Sequence, residues 1–216
     1  VAQIAREESM EGNIFMMCKE VNRQAFSSLP PGFTVRTLQR DELAIWKAMP
    51  FDDDYTADHA AYMDEFFRIT YAAQEATFFA STLVVCDPND QIVGTCFLWK
   101  AYGLFNTVHW FKVVKGYEGR GIGRALLSLL FQDVTAADLP IYLHTQPESF
   151  RAIKLYADFG FDLLTDKRIG QRDNHIEQCL PYLKEVMPKQ DYERLRFTAA
   201  PAEFIAGMAA QHDDQF

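Results

Sequence analysis

No Gly-Lys-Ser or Gly-Lys-Thr occurs in the chain. This excludes a P-loop, which needs the lysine and the hydroxyl directly after its last glycine. No CxxC spacing occurs either: Cys18, Cys86, Cys96 and Cys179 are scattered. Isolated cysteines argue against a disulfide framework or a metal site, so no metal is expected and a reducing cytoplasm is the expected compartment. No apolar run is long enough to cross a membrane. The start, Val1 to Glu8, lacks the apolar segment of a secretory signal. Positive charge is scarce: 21 Lys and Arg stand against 30 Asp and Glu, a formal net charge of −9. Such a chain, with no basic stripe, repels nucleic acid and needs local cations or donors to hold an anionic ligand.

What the chain does have is apolar mass. Its 216 residues are 49% hydrophobic, enough for one sizeable core and a small appendage. The informative stretch runs from Val113 to Leu127. A strand-like run, Thr107 to Val114, enters a turn with Gly119, Gly121 and Gly123, and the turn opens into a helix-like run, Arg124 to Phe131. The first turn of a helix has unsatisfied N–H donors and the positive end of the dipole, a setting that suits phosphate. The glycines permit close approach, and Arg120 and Arg124 add charge beside the donors. A dinucleotide fingerprint fails here, because Gly121-Ile122-Gly123-Arg124-Ala125-Leu126 ends in Leu and the turn lies mid-chain. Glu118-Gly119-Arg120-Gly121-Ile122-Gly123 fits the acetyl-coenzyme A pattern Q/R-x-x-G-x-G/A at both glycines and departs from it at the first position.

One helix further on, Ser149, Ala152, Leu155, Tyr156, Gly160 and Phe161 fall on N-x-x-A-x-x-L-Y-x-x-x-G-F, with Ser149 where Asn is usual. Together the two segments resemble the GNAT superfamily of N-acetyltransferases over roughly residues 33–161. The resemblance implies an α/β fold of the α+β type: a central mixed, mostly antiparallel sheet flanked by helices. It also implies transfer of an acetyl group from acetyl-coenzyme A to a primary amine of a small molecule or protein. A coenzyme A-binding regulatory module with reduced catalysis is the alternative, since positions 118 and 149 depart from the pattern.

The elements expected in order are a helix or irregular arm over Asn13 to Phe26, a strand over Phe33 to Leu38, and helices over Asp41 to Met49 and Ala57 to Ala72. Strands follow over Ala76 to Cys86 and Gln91 to Lys100, joined by the turn at Asp87 to Asp90. After the glycine turn come a strand over Pro140 to His144, a helix over Glu148 to Phe159 and a strand over Phe161 to Thr165. The family's last strand is hard to place after Asp166. Asn174 to Met187 reads as a helix with a kink or boundary at Pro181, Tyr192 to Phe197 as a late strand or a helical turn, and Ala200 to Gln211 as a helix. The chain thus divides into an N-terminal arm (1–32), a core (33–166) and a helical extension (167–216) packed on the core or on a partner subunit, which makes a homodimer conceivable. The polar start, Val1 to Glu11, has no initiator Met and is read as a remnant or a fragment edge. The acidic tail from His212 is expected to fray.

The resemblance also assigns roles. The turn from Gly119 to Ala125, with Glu118 beside it, anchors the cofactor, and backbone groups of Val113 and Val114 hold its acetyl and pantetheine parts. Tyr156 matches the tyrosine that protonates the departing sulfur; the plainer reading is a Tyr packed at a helix–sheet seam. Ser149 either contacts the cofactor or caps its helix. The strand before the turn contains no Asp or Glu, which leaves His109 as its one group titrating near neutrality, either a base or a packed core residue. Alternation sets His109 on the same face as Phe111 and Val113. The acidic run Asp52 to Asp54, with Asp58 and His59, would favour a cationic amine if it faced the acceptor mouth, and is otherwise a solvated loop.

Overall fold

The N-terminal segment begins with an unbroken apolar run, Ile14-Phe15-Met16-Met17-Cys18, and this run is a strand, β1 (Ile14–Cys18), in which all five residues are buried. In the computed structural model, which describes residues 12–213 and 215, β1 lies inside the main sheet rather than on its surface. It pairs antiparallel with β6 (Ile141–Thr145) on one side and with β7 (Phe161–Leu164) on the other. The reading of Asn13 to Phe26 as a helix or irregular arm is corrected here. Burial on both faces turns a continuous apolar run into a central strand, whereas an amphipathic helix would show polar residues every third or fourth place. The reading of Val1 to Glu11 lies outside the described residues, as do the tail positions 214 and 216.

Between β1 and β6 come β2 (Thr34–Thr37), α1 (Leu43–Ala48), α2 (Ala57–Thr70), α3 (Glu75–Ser81), β3 (Leu83–Cys86), β4 (Ile92–Ala101), β5 (Phe105–Val113) and α4 (Ile122–Leu130). After β6 follow α5 (Phe150–Asp158), β7, a short hairpin of β8 (Arg168–Ile169) and β9 (Arg172–Asp173), α6 (Ile176–Val186), α7 (Lys189–Glu193), β10 (Phe197–Thr198) and α8 (Ala202–Ala209). The eight-stranded sheet runs β10-β7-β1-β6-β5-β4-β3-β2. It is mixed and mostly antiparallel, as expected; only β5–β6 and β7–β10 are parallel. Tyr192 to Phe197 divides between the end of α7 and the start of β10. Pro181 sits inside α6, which continues past it.

The strand expected over Ala76 to Cys86 is half helix: α3 occupies its first part and β3 only its end. Phe, Thr and Val in this run suggest a strand by propensity, but β-propensity yields to packing. As a helix the segment sends Phe78, fully buried, into an aromatic nest with Trp46 (5.0 Å), Tyr71 (4.9 Å) and Phe97 (5.3 Å). The Thr82 hydroxyl then stops the helix by donating to the Phe78 carbonyl at 2.7 Å.

That nest fills one face of the sheet, together with α1, α2 and α8, where Phe204 stacks on Tyr142 at 3.8 Å. The other face carries α4, α5 and α6, with Phe131, Ile153, Phe159 and Leu183 at its centre. Met16→Asp tests the placement of β1. A carboxylate there has no water and no partner, so a loss of at least about 4 kcal/mol, or no folded protein, is expected in denaturant titration. A change within about 0.5 kcal/mol, the cost on an exposed arm, would contradict it.

Candidate active site

The site originates where β5 and β6 part. Their parallel pairing is limited to Asn106–Ile141 and Thr107–Tyr142. Beyond these positions β5 continues to Val113, while β6 ends at Thr145 and turns into α5. Two cavities occupy the gap and share Phe111, Lys112, Ser149 and Ala152 in their linings. One, of about 420 Å³, lies between the glycine turn and the start of α5. The other, of about 520 Å³, reaches His109, Tyr156 and the aromatic side of α2.

The glycine turn is built as an N–H cradle. Gly119 and Gly121 have positive φ, +74° and +84°, which a side chain would resist. Gly121 caps α4 with no side-chain bond, and the first intrahelical acceptance recorded is Ala125 N–H to the Gly121 carbonyl at 3.1 Å. The amides just before Ala125 therefore have no intrahelical partner. At Gly123 a Cβ would come within 3.1 Å of the Phe111 ring, so glycine is what lets the helix start this close to β5. Val113 stands opposite Gly94, and Val114 N–H bonds the Val93 carbonyl at 2.9 Å. In an antiparallel ladder this makes Gly94–Val113 a non-hydrogen-bonded pair, so the Val113 N–H and C=O point away from β4, toward the gap. Val114 differs: its N–H is held by Val93, and its carbonyl accepts from Tyr117 N–H at 2.8 Å.

The charged residues of the turn are engaged elsewhere. Arg124 pairs with Asp158 and donates to the Ala25 carbonyl at 3.2 Å, so its guanidinium ties α4 to α5 and the N-terminal segment. Arg120 donates to the Gly116 carbonyl and lies over the Tyr117 ring at 4.7 Å. Glu118 meets Arg151 at 3.1 Å on the surface. Ser149 occupies the N-cap place of α5 but makes no capping bond there; its position is the junction of the two cavities.

On the second cavity, β5 departs from simple alternation. Phe97 pairs with His109 and Thr95 with Lys112, so Trp110 and Phe111 together oppose Cys96, and Trp110 takes φ +48°. The bulge reverses the parity of everything after it. His109 and Trp110 both face the aromatic nest, whereas Phe111 packs on Tyr156 at 5.5 Å on the other side and Val113 approaches Gly123 there. The expectation that His109 shares a face with Phe111 and Val113 is corrected by this one inserted residue.

Tyr156 is buried against Phe111 and Phe161 and lines the second cavity. Burial pushes its phenol pKa well up, so it stays protonated. His109 is buried as well, with Nδ1 2.6 Å from the Tyr71 hydroxyl, which itself accepts from Trp110 Nε1 at 3.0 Å. Asp52 is turned inward rather than left in a solvated loop: it accepts from Lys112 Nζ and, at 3.2 Å, from Lys115 N–H, at a positive φ of its own. This clamp between the 52–54 segment and the approach to the glycine turn has no sequence signature, because Asp52 and Lys112 are sixty residues apart. A second polar chain, also not anticipated, lines the opposite wall: Arg172 donates to His144 Nδ1 at 3.0 Å, and His144 Nε2 donates to Asn13 Oδ1 at 2.9 Å.

The acetyltransferase (GNAT) family model matches residues 43–161. Among solved structures, a GCN5-related N-acetyltransferase from Sphaerobacter thermophilus is similar, with a TM-score of 0.51 and 22% identity, over 72% of this chain and 49% of that one. A tandem GNAT protein from the clavulanic acid biosynthesis pathway is similar with a TM-score of 0.51 and 14% identity, over 72% of this chain and 51% of that one. The chain spans about half the length of these two structures, and identities this low speak for the fold. No curated protein matches significantly.

His109, which is buried, and His144, which is half-buried, generate a pH prediction. Burial pushes His109 down to about 3, and burial with the nearby Arg172 charge does the same to His144. The unfolded chain protonates both below about pH 6.5, while the folded chain holds them neutral until about 3, so stability falls as pH drops through that window. By pH 5 the loss is about 2 kcal/mol per histidine. Denaturant titrations at pH 7.5 and 5 should show the fall, and His109→Gln should remove roughly half of it. A flat profile would contradict imidazoles held neutral by the fold.

Proposed function

We propose, from the premise that the chain belongs to the acetyltransferase (GNAT) family, that it moves an acetyl group from acetyl-coenzyme A to a primary amine by direct transfer. The observation that carries this reading is the gap between β5 and β6, which joins an N–H cradle at one end to a cavity holding a buried phenol at the other. The cradle fits a pyrophosphate on two counts: first-turn amides without intrahelical partners, and open space at Gly119. Because Arg120 and Arg124 are engaged by protein groups, anchorage rests on the backbone donors from Gly119 to Ala125 more than on side-chain charge.

Acetyl-coenzyme A, when bound, supplies the acetyl group as a thioester. The Val113 N–H, turned into the gap, is placed to donate to the carbonyl oxygen as it gains negative charge, a contribution on the order of 3 kcal/mol in enzymes of this type. The neutral amine attacks the carbonyl carbon; the C–N bond forms, the C–S bond breaks, and the amine's surplus proton leaves through water. Tyr156 gives its proton to the thiolate and regains one from solvent. Ser149, at the junction, is placed to contact the pantetheine arm. The four cysteines, free and buried, suit the cytoplasm as its compartment.

Release of free thiol from acetyl-coenzyme A in the presence of an amine panel tests the reading. Turnover with an amine is expected. Tyr156→Phe should lower kcat by about 10²-fold, with acetyl-coenzyme A affinity within about twofold. An unchanged kcat would remove the acid role. Binding of acetyl-coenzyme A without turnover of any amine would favour the regulatory module.

A further inference from the structure

The cavity of about 520 Å³ has a wall that comes from outside the sheet. Helix α8 packs on the face that carries the aromatic nest, with Phe204 stacked on Tyr142. The chain leaves α8 at Gln211, and that exit is fixed. Gln211 N–H donates to the Met208 carbonyl at 3.1 Å, its side-chain amide donates to the Gly207 carbonyl at 3.0 Å, and Gln171 donates to the Gln211 carbonyl at 3.1 Å. Asp213 and Gln215 belong to the stretch expected to fray, yet both are bonded to the turn between β4 and β5. Tyr102 N–H donates to Gln215 Oε1 at 3.1 Å, Gln215 N–H donates to the Tyr102 hydroxyl at 3.1 Å, and that hydroxyl donates to the Asp213 carbonyl at 2.8 Å.

One residue thus grips the segment through backbone and side chain together. Tyr102 holds φ +56°, an uncommon conformation for a bulky side chain. Glycine or asparagine would adopt it more easily, but would lose the hydroxyl that joins Asp213 to Gln215. The grip leaves Gln215 half-buried in the lining of the cavity, with Tyr62 and Trp110. Its side-chain amide is bonded to Tyr102 and, at 3.1 Å, to Asp213 Oδ2. What it gives the cavity is therefore bulk more than hydrogen bonding.

Resting on the acetyltransferase reading, we propose that Gln215 is a specificity-determining residue that closes the acceptor side of the gap to bulky amines, with Tyr102 as the positioning residue that holds it there. Selection of this kind works by steric penalty on the wrong acceptor rather than by added affinity for the right one. The cavity beside the glycine turn has no residue of this segment in its lining, so the cofactor end is untouched.

Two measurements test this, one of them independent of turnover. Trp46 and Trp99 are buried, so Trp110 is the indole that acrylamide reaches from the cavity. Ending the chain at Gln211 should raise the quenching constant about twofold or more, with the thermal midpoint unchanged. In thiol release, the ratio of kcat/KM for 4-phenylbenzylamine over benzylamine should rise about tenfold in that variant, the scale of a relieved steric clash. Acetyl-coenzyme A KM should stay within about twofold. Gln215→Gly and Tyr102→Phe should move the ratio the same way, whereas Gln215→Glu, which keeps bulk and an acceptor for Tyr102 N–H, should hold it. An unchanged ratio, or unchanged quenching, in the chain ended at Gln211 would overturn the proposal and leave acetyl transfer standing. Absence of thiol release with every amine would instead overturn the acetyltransferase reading and the role of Gln215 in acceptor choice with it.

Discussion

The molecule depends on an interruption in hydrogen bonding: β5 and β6 pair through Asn106–Ile141 and Thr107–Tyr142 and then separate. Two strands that stay paired leave no room between them. Once they diverge, the sheet must be held together from its other sides. β4 does this for β5 along most of its length, and β1 does it for β6 at all five positions. The gap is therefore rigidly framed although it is open. Backbone groups that would have completed the ladder, those of Val113 among them, are left facing it. A strand edge inside a protein is normally a liability; here its polar groups line the floor of the candidate site.

Two small devices refine this frame. The bulge at Trp110 inserts one residue and thereby divides β5 into a stretch whose His109 and Trp110 serve the aromatic nest and a stretch whose Phe111 and Val113 serve α4 and α5. Both faces of the sheet thus reach the same gap with different chemistry, apolar and phenolic on one side, imidazole and indole on the other. The glycine turn then sets α4 so close to β5 that its first amides open onto the gap. Asp52, bound to Lys112 and Lys115, fixes the segment between bulge and turn from outside.

Much of this frame is legible in the residues themselves. Gly119, Gly121 and Gly123 ahead of an apolar helix, and Tyr156 within its motif, place the cradle and the phenol on the elements where they occur. The hairpin turn at Asp87 to Asp90 marks the junction of β3 and β4, where Asp87 Oδ1 accepts from the Asn89 and Gln91 amides. The failures have physical causes. β1 is an apolar pentad whose partners lie more than a hundred residues away, and no local pattern tells a central strand from a packed arm. α3 is written in strand-like residues and becomes a helix because Phe78 is worth more in the aromatic nest. The bulge is silent in sequence, so the face of His109 was read from an alternation that one extra residue reverses. The capping reading of Ser149 fails because the residue stands at the N-cap of α5 without a side-chain bond to the α5 amides.

The central claim is that the gap between β5 and β6 holds coenzyme A by backbone donors. Amide hydrogen exchange, followed with and without coenzyme A at saturation, reads those donors directly. Protection concentrated at Val113 and across Gly119 to Ala125 is the result this account predicts. Binding with protection elsewhere, or no change at these amides in folded protein, would contradict it.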